Sequence, residues 1–200
     1  MKVLVFTDTH SSHDAENSII KKAKQHQPDI MLCCGDFSIF MHGAQKFLKR
    51  MDKLAIPLYL IHGNHEDEEE IAELCKMHKN IIFVHNKAVR HKDVLIMGYG
   101  GDGFSYEDPD FEPVGKAFAE AIKTHKDTKK ILLLHQPPHK SEIDLIYGVN
   151  AGNKTTKHFI VKNSIHIVFA GHLHENSGKK HTTKATSYYN PGPHGIIVDV

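Results

Sequence analysis

Cysteine is scarce in this chain: Cys33, Cys34 and Cys75 are an odd number, and two of them are neighbours inside an apolar run. That speaks against a disulfide framework, and with no Cys-x-x-Cys pair a thiolate zinc site is not expected. All three read as reduced core residues. Long hydrophobic runs are also missing. The amino-terminal run Val3-Leu4-Val5-Phe6 meets Asp8 at once, too short for a signal peptide or a membrane span, so a cytoplasmic location with no membrane partner is expected. Nor does either sign of charge dominate. Lys plus Arg number 25 against 24 for Asp plus Glu, a formal charge of +1. No basic block could track a phosphate backbone, which argues against extended nucleic acid as a partner. With no internal repeat, low-complexity segment or linker, 200 residues suit one domain covering residues 1–200.

Residues 1 to 80 alternate strand, helix, strand, helix, strand, helix, which argues for parallel pairing. The helical stretches run from about Asp14 to His26, Met41 to Lys53 and Glu68 to His78, with apolar residues such as Ile19 and Ala23, or Phe47, Leu48 and Met51, at helical spacing. Asp14 and Asp67 sit where caps or first-turn acids belong, and Pro28 and Pro57 punctuate the returns to strands. Short strands are expected near Ile81–Val84, Ala88–His91 and Val94–Met97. A glycine-rich turn around Asp102 follows, then a helix from about Pro113 to His125. Residues Gln136 to Asn153 read as an active-site loop with one helical turn, and Thr182 to Val200 as antiparallel strands around the turn Asn190-Pro191-Gly192-Pro193. The pattern suggests an α/β protein: a β-sandwich flanked by helices on both outer faces.

What the sequence has in excess is histidine, 18 residues. Most, including His13, His26, His42, His78, His125 and His181, read as surface or helix residues. The others are selected by position. Five short apolar runs end in metal-liking side chains: Val3–Phe6 before Asp8-Thr9-His10, Ile30–Cys34 before Gly35-Asp36, Leu58–Ile61 before His62-Gly63-Asn64-His65, Ile131–Leu134 before His135, and Ile165–Ala170 before Gly171-His172-Leu173-His174. In open α/β sheets ligands bind outside the carboxyl ends of strands, so these endings converge on one crevice with donors enough for two metal ions. Asp8 and His10, like His172 and His174, are two apart and can share a face. Asp36 has two oxygens to bridge two cations about 3.5 to 4 Å apart, and Asn64 adds a neutral amide oxygen. Two divalent ions against two aspartates and a hydroxide leave roughly one positive charge, which attracts a phosphate ester.

Asp8-x-His10, Gly35-Asp36, Gly63-Asn64-His65-Glu66, His135 and Gly171-His172-x-His174 together resemble the ordered signature of the calcineurin-like metallophosphoesterase superfamily, over residues 1 to 174. The resemblance implies one domain of four layers, α/β/β/α. It implies one metal held by Asp8, His10, Asp36 and His174, and another by Asp36, Asn64, His135 and His172. His65 is implied as the catalytic residue that contacts the substrate phosphate and helps the leaving oxygen depart, while a hydroxide bridging the two ions attacks phosphorus. Two departures from the family pattern concern pocket shape. Where many members carry a second acid after Gly35-Asp36, this chain has Phe37-Ser38-Ile39-Phe40, and His62 replaces a usual proline before Gly63.

The expected activity is hydrolysis of a small phosphate ester, a diester before a monoester. The cofactors are two divalent or mixed-valence ions from manganese, iron, nickel, cobalt and zinc. A homodimer is compatible with the resemblance. The competing readings are a non-catalytic scaffold of the same fold and a nuclease acting on polymer. Glu66 reads as part of the acidic run that opens a helix and is left out of the site. His62 reads first as a strand-end hydrogen-bonding residue. His139 and Tyr147 are candidates for substrate contact, Asp102 and its glycines for a backbone rim, and the Asn190 turn for a structural role.

Overall fold

Side chains two apart on a strand share a face, and in this chain both faces of the central strands are apolar, so each strand must lie between two layers. The computed structural model, which describes residues 1–101 and 103–200, shows how. The first half runs β1 (Lys2–Phe6), α1 (His13–His26), β2 (Ile30–Cys33), α2 (Ala44–Asp52), β3 (Leu58–Leu60), α3 (Glu68–Lys76) and β4 (Ile81–Phe83). The second runs β5 (Lys87–His91), β6 (Val94–Tyr99), α4 (Phe111–Thr124), β7 (Lys129–Leu134), β8 (Leu145–Ile146), β9 (Val149–Asn150), α5 (Lys154–Lys162) and β10 (Ile167–Ala170). The chain closes with β11 (Lys180–Thr182), β12 (Ser187–Tyr189) and β13 (Ile196–Asp199).

Leu4 and Phe6 of β1, with Met31 and Cys33 of β2, turn outward onto Ile19, Phe47, Leu48 and Ile71 of α1 to α3. Val3, Val5, Ile30 and Leu32 turn the other way, against Ile96, Ile131, Leu133 and Phe169 of the second sheet. That sheet's outer face, with Leu95, Met97, Leu132 and Val168, is covered by Phe111 and Phe118 of α4 and Phe159 and Ile160 of α5. The result is the expected stack of helices, sheet, sheet and helices. The first sheet has the order β13-β1-β2-β3-β4 and the second β11-β12-β10-β7-β6-β5. Pairing is parallel from β1 to β4 and among β6, β7, β10 and β12, which aligns the carboxyl ends of those strands. Antiparallel strands β13, β5 and β11 lie at the edges.

Local chemistry sets the helix starts. Ser12 caps α1, its hydroxyl accepting from the Ala15 amide at 3.3 Å, so Asp14 is a first-turn acid and not the cap. Asp67 caps α3 through the Glu70 amide at 2.9 Å. Three expectations are corrected. The segment after His135 folds as the β8–β9 hairpin instead of a helical turn, because Asp144 accepts from the Lys140, Ser141 and Gly152 amides and pins a tight loop. Asn153 then caps a helix, α5, that was not foreseen. In the tail, β12 lies parallel to β10 while β13 joins the other sheet beside β1, so the Asn190 turn passes the chain between sheets and does not close a hairpin. Among the surface histidines, His78, His125 and His181 are half-buried.

All three cysteines are buried and free. No helix among the described residues is long and apolar enough to cross a membrane.

Phe47 is the keystone of the outer core, stacked on Phe37 at 4.7 Å and edge-on to Phe6 at 6.1 Å. Phe47→Ala is expected to cost about 3–5 kcal/mol, read as a lowered urea midpoint.

Candidate metal centre

The aligned strand ends deliver Asp8, Asp36 and Asn64 from the first sheet and His135 and His172 from the second, with His10 and His174 two residues beyond Asp8 and His172. Contacts between the sheets hold the set together. The His172 amide donates to both Asp8 carboxylate oxygens at 3.1 and 3.0 Å, and His135 Nδ1 lies 2.9 Å from the Cys34 carbonyl. All seven residues singled out in the sequence meet here. His10 Nε2 is 3.1 Å from His174 Nε2 and 3.7 Å from Asp36 Oδ2, while His174 Nε2 is 3.7 Å from Asp8 Oδ1. On the other side of Asp36, His135 Nε2 is 3.5 Å from Oδ2, and Asn64 Oδ1 is 3.0 Å from both His135 Nε2 and His172 Nδ1. Three triads have the spacing to hold a cation: Asp8, His10 and His174; His10, Asp36 and His65; Asp36, His135 and His172.

The donor chemistry fits metal. A carbonyl can only accept, so His135 donates Nδ1–H to Cys34, and its neutral ring then turns the Nε2 lone pair toward the oxygens of Asn64 and Asp36. Lone pairs facing lone pairs repel unless a cation lies among them. His172 Nε2 is buried without a partner, and because a neutral ring keeps one N–H, only one of its two nitrogens can serve a cation. Burial, and then the neighbouring His135, push the His172 imidazolium down to about 4, which leaves the ring neutral as a metal requires. Burial alone would raise the Asp8 carboxyl, but the His174 hydrogen bond and the surrounding imidazoles hold it below its usual value.

The backbone is bent to aim these groups. Asp8, His10, Asp36 and His172 have φ of 53°, 43°, 51° and 66°, the left-handed region that L-residues seldom enter. Each costs on the order of 1–3 kcal/mol, strain of the kind that gathers at functional sites. Glycine permits the closest approach: a Cβ on Gly63 would lie 2.1 Å from Asp36 Oδ1.

Glu66, set aside in the sequence as a helix-opening acid, belongs to the site's framework. The helix starts after it, capped by Asp67, and the Glu66 carboxylate is buried against the loops that carry Asp36 and Gly63. One oxygen accepts from the Asp36 and Gly63 amides, both at 2.9 Å; the other accepts from the Ser38 amide and hydroxyl, both at 2.8 Å. Burial raises its carboxyl above the usual range against the pull of these donors. Asn190 serves the other sheet: it is fully buried, and its amide donates to the Leu173 carbonyl at 3.0 Å, between His172 and His174.

The remaining candidates lie apart. His62 is buried beside His85 over a separate cavity of about 420 Å³, its Nδ1 3.0 Å from the Gly63 carbonyl. With Glu68 these two histidines have metal-like spacing. His85 Nδ1, however, accepts from the Gly100 amide at 2.8 Å, so Nε2 carries the proton and offers Glu68 a donor, not a lone pair. His139 rests against Tyr106 and near Asp144, outside the candidate donor groups. Tyr147 is 98 % exposed at the tip of the β8–β9 hairpin. Asp102 lies outside the described residues.

The model of the calcineurin-like phosphoesterase family matches residues 1–176, and the chain belongs to that family. Solved structures share the fold at low identity. The protein TT1561 of Thermus thermophilus superposes with a TM-score of 0.74 at 18% identity, covering 96% of this chain and 88% of that one. A dimetal phosphatase from Danio rerio gives 0.66 at 9% identity, covering 94% and 86%. GAP50, the anchor in the inner membrane complex of Plasmodium, gives 0.65 at 9%, covering 94% and 70%. No curated protein sequence matches the chain.

Replacing Glu66 by Gln puts an amide donor among four donors. The variant is expected to remain folded but to bind Mn²⁺ about 10- to 100-fold more weakly in calorimetric titration. A second test concerns acid. Burial depresses the His85 imidazole from 6.5 to about 3, so between these values the unfolded chain takes up a proton that the folded chain refuses. Stability therefore falls as pH drops through that window, by roughly 1.4 kcal/mol per pH unit from this group. His85→Asn keeps an acceptor for Gly100, and its unfolding free energy should decline less steeply from pH 6 to 4.

Proposed function

We propose that the protein hydrolyses a small phosphate ester, a diester in preference to a monoester, with the help of two metal ions. Asp8, His10, Asp36 and His174 would hold one, and Asp36, Asn64, His135 and His172 the other. The observation that carries this reading is the placement of Asp36: one carboxylate oxygen lies 3.7 Å from His10 Nε2 on one side and 3.5 Å from His135 Nε2 on the other. Oxygen and imidazole donors without thiolate suit manganese, iron, nickel, cobalt or zinc. Bound divalent ions supply Lewis acidity, which stabilises charge on a phosphoryl group and brings the pKa of water from about 15.7 toward about 7.

The chain's own residues do the rest. Asp36 fixes His65 by accepting its backbone N–H at 2.9 Å, while the His65 ring stands with Nε2 4.0 Å from Asp36 Oδ2. The ring lines an open cleft of about 260 Å³ together with His10, Asn64, His172 and His174. From there His65 can hold a proton for the departing alkoxide or phenoxide, help worth about 10² to 10⁴ in rate. No lysine or arginine is among the described residues lining the cleft, which suits the single charge of a diester better than the double charge of a monoester. The small cleft and the balanced net charge of +1 also favour a small ester over a polymer. A scaffold would have no use for seven aimed donors and a free imidazole beside them.

The test is hydrolysis of bis(p-nitrophenyl) phosphate against p-nitrophenyl phosphate by metal-reconstituted protein. The diester should be the better substrate. Asp36→Asn should nearly abolish turnover and His65→Ala should lower kcat by about 10² to 10⁴. Activity that survives both changes in protein shown by elemental analysis to hold no metal would overturn the reading.

A further inference from the structure

Two phenylalanines stand exposed where burial would be expected. Phe40 is 68% and Phe104 70% exposed, although a buried side chain of this size is favoured over an exposed one. Neither is placed at random. The Phe40 ring lies 4.5 Å from the His65 ring, tilted by 35°, and the Phe104 ring meets the His172 ring edge-on at 4.4 Å. The two imidazoles sit on opposite flanks of the donor cluster: His65 packs against His10, and His172 against His135. Phe104 therefore lines the cleft itself, and Phe40 packs on His65, which lines it. The lining adds Ile146, Leu173 and the acidic Glu175, with no lysine or arginine among the described residues.

Local backbone keeps both rings in place. Phe40 has φ of 47°, in a tight turn closed by Ile39 and His42, and the Met41 amide donates to the His65 carbonyl at 3.1 Å. Phe104 follows Gly103, where a Cβ would fall 1.9 Å from the His172 ring, so the backbone before Phe104 is pressed directly onto that imidazole. Phe40 also ends the stretch Phe37-Ser38-Ile39-Phe40 that departs from the family pattern.

We propose that Phe40 and Phe104 form a subsite for a flat aromatic or heteroaromatic ring carried by the phosphodiester. The inference rests on the proposed function, because it is a phosphoryl group seated among the candidate metal donors that brings its ester substituents toward Phe104 and toward the Phe40–His65 pair. Offset or edge-on contact with a phenyl ring holds an aromatic substituent and does little for an alkyl one. With no lysine or arginine among the described residues of the lining, and Glu175 disfavouring an anionic substituent, ring contact selects the substituent.

The test compares phenyl p-nitrophenyl phosphate with methyl p-nitrophenyl phosphate, which share a leaving group and differ in one ring. Manganese-loaded wild type should prefer the phenyl ester in kcat/KM, and Phe40→Ala and Phe104→Ala should each shrink that preference roughly five- to ten-fold. A readout independent of turnover is the Kd of phenylphosphonate against methylphosphonate by calorimetry, where the same preference should appear and shrink. Adenosine 2′,3′-cyclic phosphate forms a third arm. A phenylalanine-dependent loss on it assigns the ring to a nucleobase, and a loss confined to aryl esters assigns a simple aryl group; either supports the subsite. Wild type that hydrolyses no ester but binds phenylphosphonate in a phenylalanine-dependent way keeps the subsite and removes the catalytic reading. Hydrolysis with no ring preference, or a preference that both variants retain, overturns the subsite and leaves catalysis standing. So does a ring preference untouched in variants that lose a dimer by sedimentation, because the patch is then an interface between copies.

Discussion

The buried Glu66 carboxylate is the point on which the site's geometry turns. By accepting from the Asp36 and Gly63 amides it ties the loop after β2 to the loop after β3, and through Ser38 it fixes the exit toward Phe40. An unpartnered carboxylate in that position would cost several kcal/mol; with four donors it becomes a rigid knot. Asp36 can then be held in a left-handed conformation that its own backbone disfavours. Strain at the donors and saturation of Glu66 are two sides of one arrangement.

The rest of the molecule supplies direction. Strands apolar on both faces pack two sheets against each other, and parallel pairing brings their carboxyl ends to one edge. Each loop has little freedom of its own, since the sheets fix where it begins. His135 shows this well: strand β7 sets its position, the Cys34 carbonyl of the other sheet sets its tautomer, and its remaining nitrogen has one direction to face.

What is encoded over a few residues is legible in the sequence. Apolar runs followed by Asp8, Asp36, Asn64, His135 and His172 need only strand period and the rule of strand ends, and the helices of the first half announce themselves by spacing and cap. Partners far apart in the chain are not legible there. Glu66 sits at the head of an acidic run that masks it, and the Asp36 amide it accepts from lies 30 residues upstream. The pairing of Ile196–Asp199 with Lys2–Val5 joins opposite ends of the chain, which no local pattern reports. Helix α5 carries few apolar residues, and only its Asn153 cap marks it. The left-handed φ values at four donors leave no trace in residue type beyond a preference for Asp and His.

The seven donors are divided four to three between the sheets. Any cation they share is therefore a staple across the seam of the sandwich, and its binding free energy is added to the cohesion of the two halves. Ligand and fold would then be one thermodynamic system: whatever loosened the seam would weaken the grip on the ion, and withdrawal of the ion would loosen the seam.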